Sequence, residues 1–368
     1  MTTLDSETGR RARSESTSSE SSGRPRKIRL PGGRTVTASL VFDAYWRFAC
    51  RRQDAFMRRV MGESPPWSDD PVIAAHRFTN AYRASDRVSQ YLISRVQYAG
   101  DQTADEVVFR TLLFKLFNRV STWESLVDAL GEVRWKGFDV ARAERVLDRL
   151  LAGGTTVYSA AYIMPSPPFG AARKHTNHLR LVEHMMRDDL PSKVANAPTM
   201  EAMFKILRAY PSLGDFLAFQ LTIDLNYSRV TDFSEMDFVV AGPGARDGMK
   251  KCFVDVGGLS DADVIRAVAD VAEGELDRAG LRFQTLWGRP LQLIDCQNLF
   301  CEVDKYARVM HPEFSGESGR TRIKQRFVAA VRPVPQWYPP KWKLHPPEAK
   351  PRLDQRGSAQ RSLFSDPR

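Results

Sequence analysis

Apolar residues recur at three- and four-residue spacing through most of the chain, the pattern of helices that bury one face. Val41, Tyr45, Phe48, Phe56 and Val60 mark such a face over Val41–Met61. Asp69-Asp70-Pro71 puts acids and a proline where a helix start favours them, and the helix it opens is expected to reach about Tyr98. Further helices are predicted over Thr103–Val120, Phe138–Ala152, Arg173–Asp189, Thr199–Tyr210, Leu213–Asn226, Ala245–Phe253, Ser260–Ala279 and Leu291–Val309. Ser121-Thr122-Trp123-Glu124 reads as a capping box for a short helix ending at Gly131. Only Thr155–Met164 has the look of a strand. Strand and helix signals do not alternate, so a parallel α/β sheet is disfavoured and an all-α fold is expected.

The ends differ from this body. Residues 1–37 are Ser-, Arg- and Gly-rich and poor in aromatic residues, and are expected to form a disordered basic tail. Residues 38–328 form the helical domain. In 329–368 the prolines around Trp337, Tyr338 and Trp342 forbid a helix and predict a strap against the body, then a free tail.

Composition adds a partner. Lys and Arg number 54 against 44 Asp and Glu, a net charge of +10, which favours a polyanion such as DNA. The four cysteines are scattered, and no leader or membrane span is visible. A reducing cytoplasm is therefore expected, with no membrane association.

Several segments could carry chemistry. At Pro211-Ser212-Leu213-Gly214 one helix stops and another starts. The turn is either a plain connection or a site where backbone N–H groups, with Pro211 and Gly214 at the bend, meet a DNA phosphate. Gly242-Pro243-Gly244 precedes a helix bearing Arg246, and is either a phosphate-approaching loop or an ordinary Gly-Pro loop. No G-x-x-x-x-G-K-[ST] run occurs in the chain, which excludes a P-loop kinase. Asp295, Asn298, Glu302 and Lys305 fall on one stripe of a strongly apolar helix and predict a polar cavity. Arg83 and Arg87 form a second polar stripe, and Lys115, Asn118 and Arg119 a third; such cations can clamp a phosphate. His175 and His178 suggest a cationic helix face near DNA or a phosphorylated base rather than a metal site, since no zinc-type Cys/His quartet accompanies them. Arg320, Arg322 and Lys324 alternate in an extended style that suits an arm along the DNA backbone. Neither a metal nor a cofactor is expected.

Arg83–Tyr91, Phe109–Asn118, Tyr210–Gly214 and Asp295–Tyr306 together resemble the helical domain associated with 5-hydroxymethyluracil DNA kinases, grouped with the α-glutamyl/putrescinyl thymine pyrophosphorylases. The similarity runs from about Val41 to Arg326. The resemblance implies a helix-hairpin-helix DNA glycosylase-like fold and a role in thymine hypermodification. In that chemistry a hydroxymethyluracil is phosphorylated or pyrophosphorylated, and an amine or amino acid then displaces the leaving group. It also implies a base extruded into a pocket.

The sequence departs from glycosylases of that fold. The position of an excision aspartate is approached only by Asp237 and Gly242, and neither a hairpin lysine nor a four-cysteine cluster is present. Two readings stand beside each other. In one, the chain is a DNA base-modifying transferase or pyrophosphorylase, with Asp295, Glu302 or Asp237 as general base and Lys305, Arg83, Arg87 and the Gly242–Gly244 loop holding phosphate. In the other, it is a non-catalytic DNA-binding module that partners a separate kinase or hydroxylase. A DNA glycosylase trails both.

Overall fold

The computed structural model describes residues 24–329, 334 and 336–347, so the disorder expected for 1–23 and beyond 347 lies outside the described residues. Part of the expected N-terminal tail is ordered. Strands β1 (Arg26–Arg29) and β2 (Thr35–Ala38) form an antiparallel hairpin with Arg26 opposite Ala38, and β2 pairs with β3 (Phe253–Asp255). Ile28, Leu30, Val36 and Ala38 point into the core, enough apolar surface to fix a short hairpin despite its basic flanks.

Helix α1 (Leu40–Val60) starts where the Val41 amide donates to the Ser39 hydroxyl, and Phe42, Tyr45, Trp46 and Phe48 are fully buried along it. The helix expected from Asp69 to Tyr98 is broken. Helix α2 (Pro71–Ala75) ends after five residues, and a 3₁₀ turn (Arg83–Ser85), α3 (Arg87–Tyr91) and a π-helical stretch (Leu92–Gln97) follow. Between them the chain is extended. The Thr79 amide donates to Glu302 and the Asn80 amide to Asp86, while His76 bridges to Arg326. Tertiary acceptors have replaced helical carbonyls there.

The remaining helices are α4 (Ala104–Phe117), α5 (Val120–Leu130), α6 (Val140–Ala152), α7 (Lys174–Arg187), α8 (Leu190–Ala195), α9 (Met200–Arg208), α10 (Asp215–Tyr227), α11 (Pro243–Cys252), α12 (Asp261–Asp270), α13 (Ala272–Arg278) and α14 (Leu293–Met310). The predicted capping box at Ser121 is not the start of α5, which is under way at Val120 with Arg119 as its cap. Thr155–Met164 is not a strand. It is an irregular segment pinned by the Ser159 amide to Phe117 and by the Thr122 hydroxyl to the Val157 carbonyl.

Two hydrophobic cores result. The first gathers the hairpin, α1 and α11 to α14; the second gathers the π-helical stretch and α4 to α9. Helix α10 belongs to both. Phe219, Ile223 and Tyr227 face the first core, and Ala218, Leu221 and Leu225 the second. Its third face, Gln220 and Asp224 at i and i+4, lies along the seam between the cores. Helices α11 and α14 approach so closely that a Cβ on Gly248 would lie 2.1 Å from the Phe300 carbonyl oxygen. Among the described residues no helix is long and apolar enough to cross a membrane.

Candidate functional site

Two cations that lie far apart in the sequence meet at Asp224, which is fully buried. Arg83 reaches it from the 3₁₀ turn, Nη1 standing 2.8 Å from Oδ1. Lys115 reaches it from α4, Nζ standing 3.2 Å from Oδ2. Arg83 Nε also donates to Gln220 Oε1 at 2.9 Å, and its guanidinium lies over the Tyr227 ring. Lys115 Nζ donates to Asn118 Oδ1 at 2.7 Å and sits 5.1 Å from the centre of the Tyr162 ring. Asn118 can make that contact because it ends α4 in the left-handed conformation, with φ of 48°. The backbone of Asp224 is held in turn by Gln97, whose amide donates to its carbonyl at 2.7 Å. Two cations and one carboxylate are therefore buried together, and burial pulls the Lys115 ammonium below its ordinary value.

Asp86 extends this cluster. It is half-buried, its Oδ1 accepts from the Asn80 amide at 2.8 Å, and burial pushes its carboxyl up to about 7 despite the nearby Arg52 and Arg83. Tyr162, which donates to Gln220 Oε1 at 3.3 Å, has its hydroxyl pushed upward by burial. A carboxyl that titrates near neutrality beside two fixed cations can take or give a proton while the cations hold an anion.

The aligned stripe on α14 is divided among separate tasks. Asp295 is buried, but its Oδ1 accepts from the Arg83 amide at 2.8 Å and its Oδ2 from the Gln292 amide at 3.0 Å. It closes the capping box of α14 and positions Arg83, and with both oxygens engaged it is not the free base expected from sequence. Its carboxyl is nonetheless pushed up to about 6 by burial. Glu302 accepts from the Thr79 amide and pairs with Lys305 at 2.6 Å, and Asn298 donates to Thr79. This stripe braces the extended segment that carries Asp86. Asp237 stands apart, exposed, with its carbonyl taking Arg266.

Other expected groups are also elsewhere. Gly242 and Gly244 pack closely against other parts of the protein: an added Cβ would lie 2.7 Å from the Phe216 ring and 3.2 Å from the Cys301 sulfur. Arg246 pairs with Asp261 on the surface. Arg119 donates to Ser121, and Arg87 is exposed at the start of α3. Arg320, Arg322 and Lys324 are exposed on an extended segment tied to Arg77 by the Gln325 carbonyl. Pro211 and Gly214 lie in the α9–α10 turn, where Ser212 takes the positive φ and Gly214 meets no neighbour that a Cβ would strike. Asp215, paired with Arg208, occupies the first turn of α10.

The histidines do not form one cationic face. His178 is buried between the Tyr158 hydroxyl and the Pro165 carbonyl, and burial pulls it down to about 4, so it is neutral at pH 7. His175 is turned to Asp148 at 2.8 Å. His175, Asp148 and Glu144 bring donor atoms within 4.8 Å of one another, with Arg173 already on Asp148 at 2.7 Å.

Asp224, Gln220, Asp86 and Tyr162 were not singled out from sequence. The available signal was in α10, where Gln220 and Asp224 are a polar i, i+4 pair among the buried residues of the helix, beside Thr222 and Asn226.

Comparison with known proteins identifies the group. The family described as 5-hmdU DNA kinase, helical domain, matches residues 39–316. A 5-hmdU DNA kinase of Bacillus phage SP10 is 29% identical over 294 residues, covering 73% of this chain and 45% of that protein. The chain thus spans less than half the length of this relative. No solved structure matches. The chain belongs to the family of the 5-hmdU DNA kinase helical domain.

Proposed function

We propose that this protein takes part in modifying 5-hydroxymethyluracil in DNA, working on an extruded 5-substituted uracil at the seam between its two cores. The observation that supports this most is the buried Arg83–Asp224–Lys115 cluster, with Asp86, a carboxyl pushed up by burial, three residues from Arg83. In the reaction we infer, an amine nitrogen attacks the 5-methylene carbon and the bond from that carbon to a phosphate-type oxygen breaks. The electron pair leaves with the phosphate, which Arg83 and Lys115 stabilise. Asp86 accepts the proton that the nitrogen gives up once the new carbon–nitrogen bond has formed. The substrate's phosphate would be supplied by a kinase activity, in keeping with the phage relative's being a 5-hmdU DNA kinase.

A second reading is favoured by the internal compensation of the cluster, since Asp224 already neutralises part of the charge on Arg83 and Lys115. In this reading the chain binds DNA and presents the base to a separate kinase or hydroxylase. Nucleoside mass spectrometry of DNA from cells carrying the wild-type gene or Asp86→Asn separates the two. Loss of the modified nucleoside in the variant, with the protein still folded and DNA-bound, supports chemistry at the seam. Unchanged nucleosides in the variant support the module. Identical nucleosides with and without the gene, in a host that contains modified thymines, contradict both.

A further inference from the structure

A cavity of about 380 Å³ lies on the first core, between α1, α2, the loop at Pro65–Ser68 and the extended segment at Phe327. Its size falls at the lower end of the range for small-ligand pockets. Its walls carry three aromatic rings, Trp67, Phe78 and Phe327, and two guanidinium groups, Arg52 and Arg59; none of the described lining residues is acidic. The arginines are poorly compensated. Arg52 donates to the neutral amide of Asn80, and Arg59 stacks 5.3 Å from the Trp67 ring centre with its buried Nε lacking a hydrogen-bond partner. His76 Nδ1, in the same wall, is also buried without one. The nearest acids have other work: Glu302 pairs with Lys305, and Asp86 accepts from Asn80. Burial pulls Arg52 down to about 10, and burial together with Arg87 pulls Arg59 down. Both guanidiniums are half-buried and neither is paired directly with a carboxylate, so each keeps donors that an anion could take.

An inorganic anion would use the arginines but leave the aromatic walls idle. A purely apolar ligand would leave the guanidiniums uncompensated. We propose that this cavity binds a single nucleotide, its ring against Trp67, Phe78 and Phe327 and its phosphate against Arg52 and Arg59. Planar guanidiniums suit phosphate oxygens, and an aromatic wall suits a base face. The pocket does not include Asp224, although Arg52 meets Asp86 through Asn80, and the reading of DNA modification bears only on whether the nucleotide is free or part of a strand.

Calorimetric titration of the full chain with thymidine 5′-monophosphate tests this, with thymidine and inorganic phosphate as parallel probes. The nucleotide is expected to bind at least tenfold more tightly than either probe. Arg59→Met should weaken it about tenfold or more, the loss expected for one charge-assisted contact. Ala74→Phe keeps both arginines and fills the cavity from an exposed lining position, so it should abolish binding while thermal stability is retained. Nucleotide affinity no greater than that of phosphate, or unchanged in both variants, overturns the proposal. Competition by single-stranded oligothymidylate assigns the nucleotide to a DNA strand, and its absence assigns it to the free pool. Free nucleotide needs no base extrusion. Failure here therefore leaves the seam chemistry standing, and loss of modification with intact nucleotide binding does the reverse.

Discussion

Asp224→Asn is the sharpest perturbation of the seam. The substitution keeps the shape of the side chain and removes the carboxylate that pairs with both Arg83 and Lys115, which are 5% and 6% exposed. Breaking a buried ion pair by deleting one partner costs about 3–5 kcal/mol, because a charge is left uncompensated. Two neutral contacts soften the loss: Arg83 keeps Gln220 at 2.9 Å, and Lys115 keeps Asn118 at 2.7 Å. The expected cost is therefore near the lower figure, about 3 kcal/mol, or a fall in Tm of roughly 6 °C or more. Urea denaturation followed by circular dichroism measures it. Removing the stranded cation as well should recover part of the loss, so Asp224→Asn/Lys115→Met should be more stable than Asp224→Asn alone. The deficit of the single variant should also shrink in alkaline buffer as Lys115, already lowered by burial, gives up its proton. A cost below about 1 kcal/mol, or a double variant weaker than the single, refutes the view that this cluster is a compensated buried charge network.

Other outcomes follow from the same coordinates. Asp86→Asn removes a carboxyl raised from 3.8 to about 7, whose ionisation opposes folding as pH rises through that window; relative to wild type, the variant should gain stability from pH 4 to pH 7, and parallel curves in pH-dependent denaturation contradict the assignment. His178, lowered from 6.5 to about 4, contributes stability that is full above pH 6.5 and lost as pH falls toward 4. Its imidazole resonances should stay neutral at pH 5.5 by NMR, and titration near 6.5 speaks against burial. Gly248→Ala places a Cβ 2.1 Å from the Phe300 carbonyl and should cost about 3 kcal/mol or more by forcing α11 from α14, whereas Gly274→Ala in α13 meets open space and should be neutral or gain up to about 1 kcal/mol. Equal denaturation midpoints for those two glycine variants contradict the packing described for α11 and α14.

Helices were legible where one face is apolar over several turns, as in α1 and α14. The segment from His76 to Gln97 was not, because its backbone donors go to Glu302 and Asp86, which are respectively remote and specific to the fold. The hairpin at Arg26–Ala38 was hidden by a basic composition that disguises four inward apolar residues. Arg83, Lys115 and Asn118 were each visible as polar positions on apolar helices, but periodicity cannot tell which helices pack together. Their convergence on Asp224 is a tertiary fact. The stripe on α14 shows the opposite limit: Asp295 and Glu302 are buried as their spacing implied, yet backbone amides occupy them, and no sequence pattern distinguishes a free buried carboxylate from a capping one.

The central claim is that the seam at Asp86, Lys115 and Tyr162 receives a 5-substituted uracil from DNA. Fluorescence anisotropy with two duplexes that differ only in one base, 5-hydroxymethyluracil or thymine, tests it most directly. The protein should bind the hydroxymethyluracil duplex about tenfold more tightly, the discrimination expected for a hydroxyl met by buried polar groups. Tyr162→Phe and Asp86→Asn should each reduce that ratio toward one while affinity for the thymine duplex persists. Equal affinity of the wild-type protein for both duplexes contradicts the account.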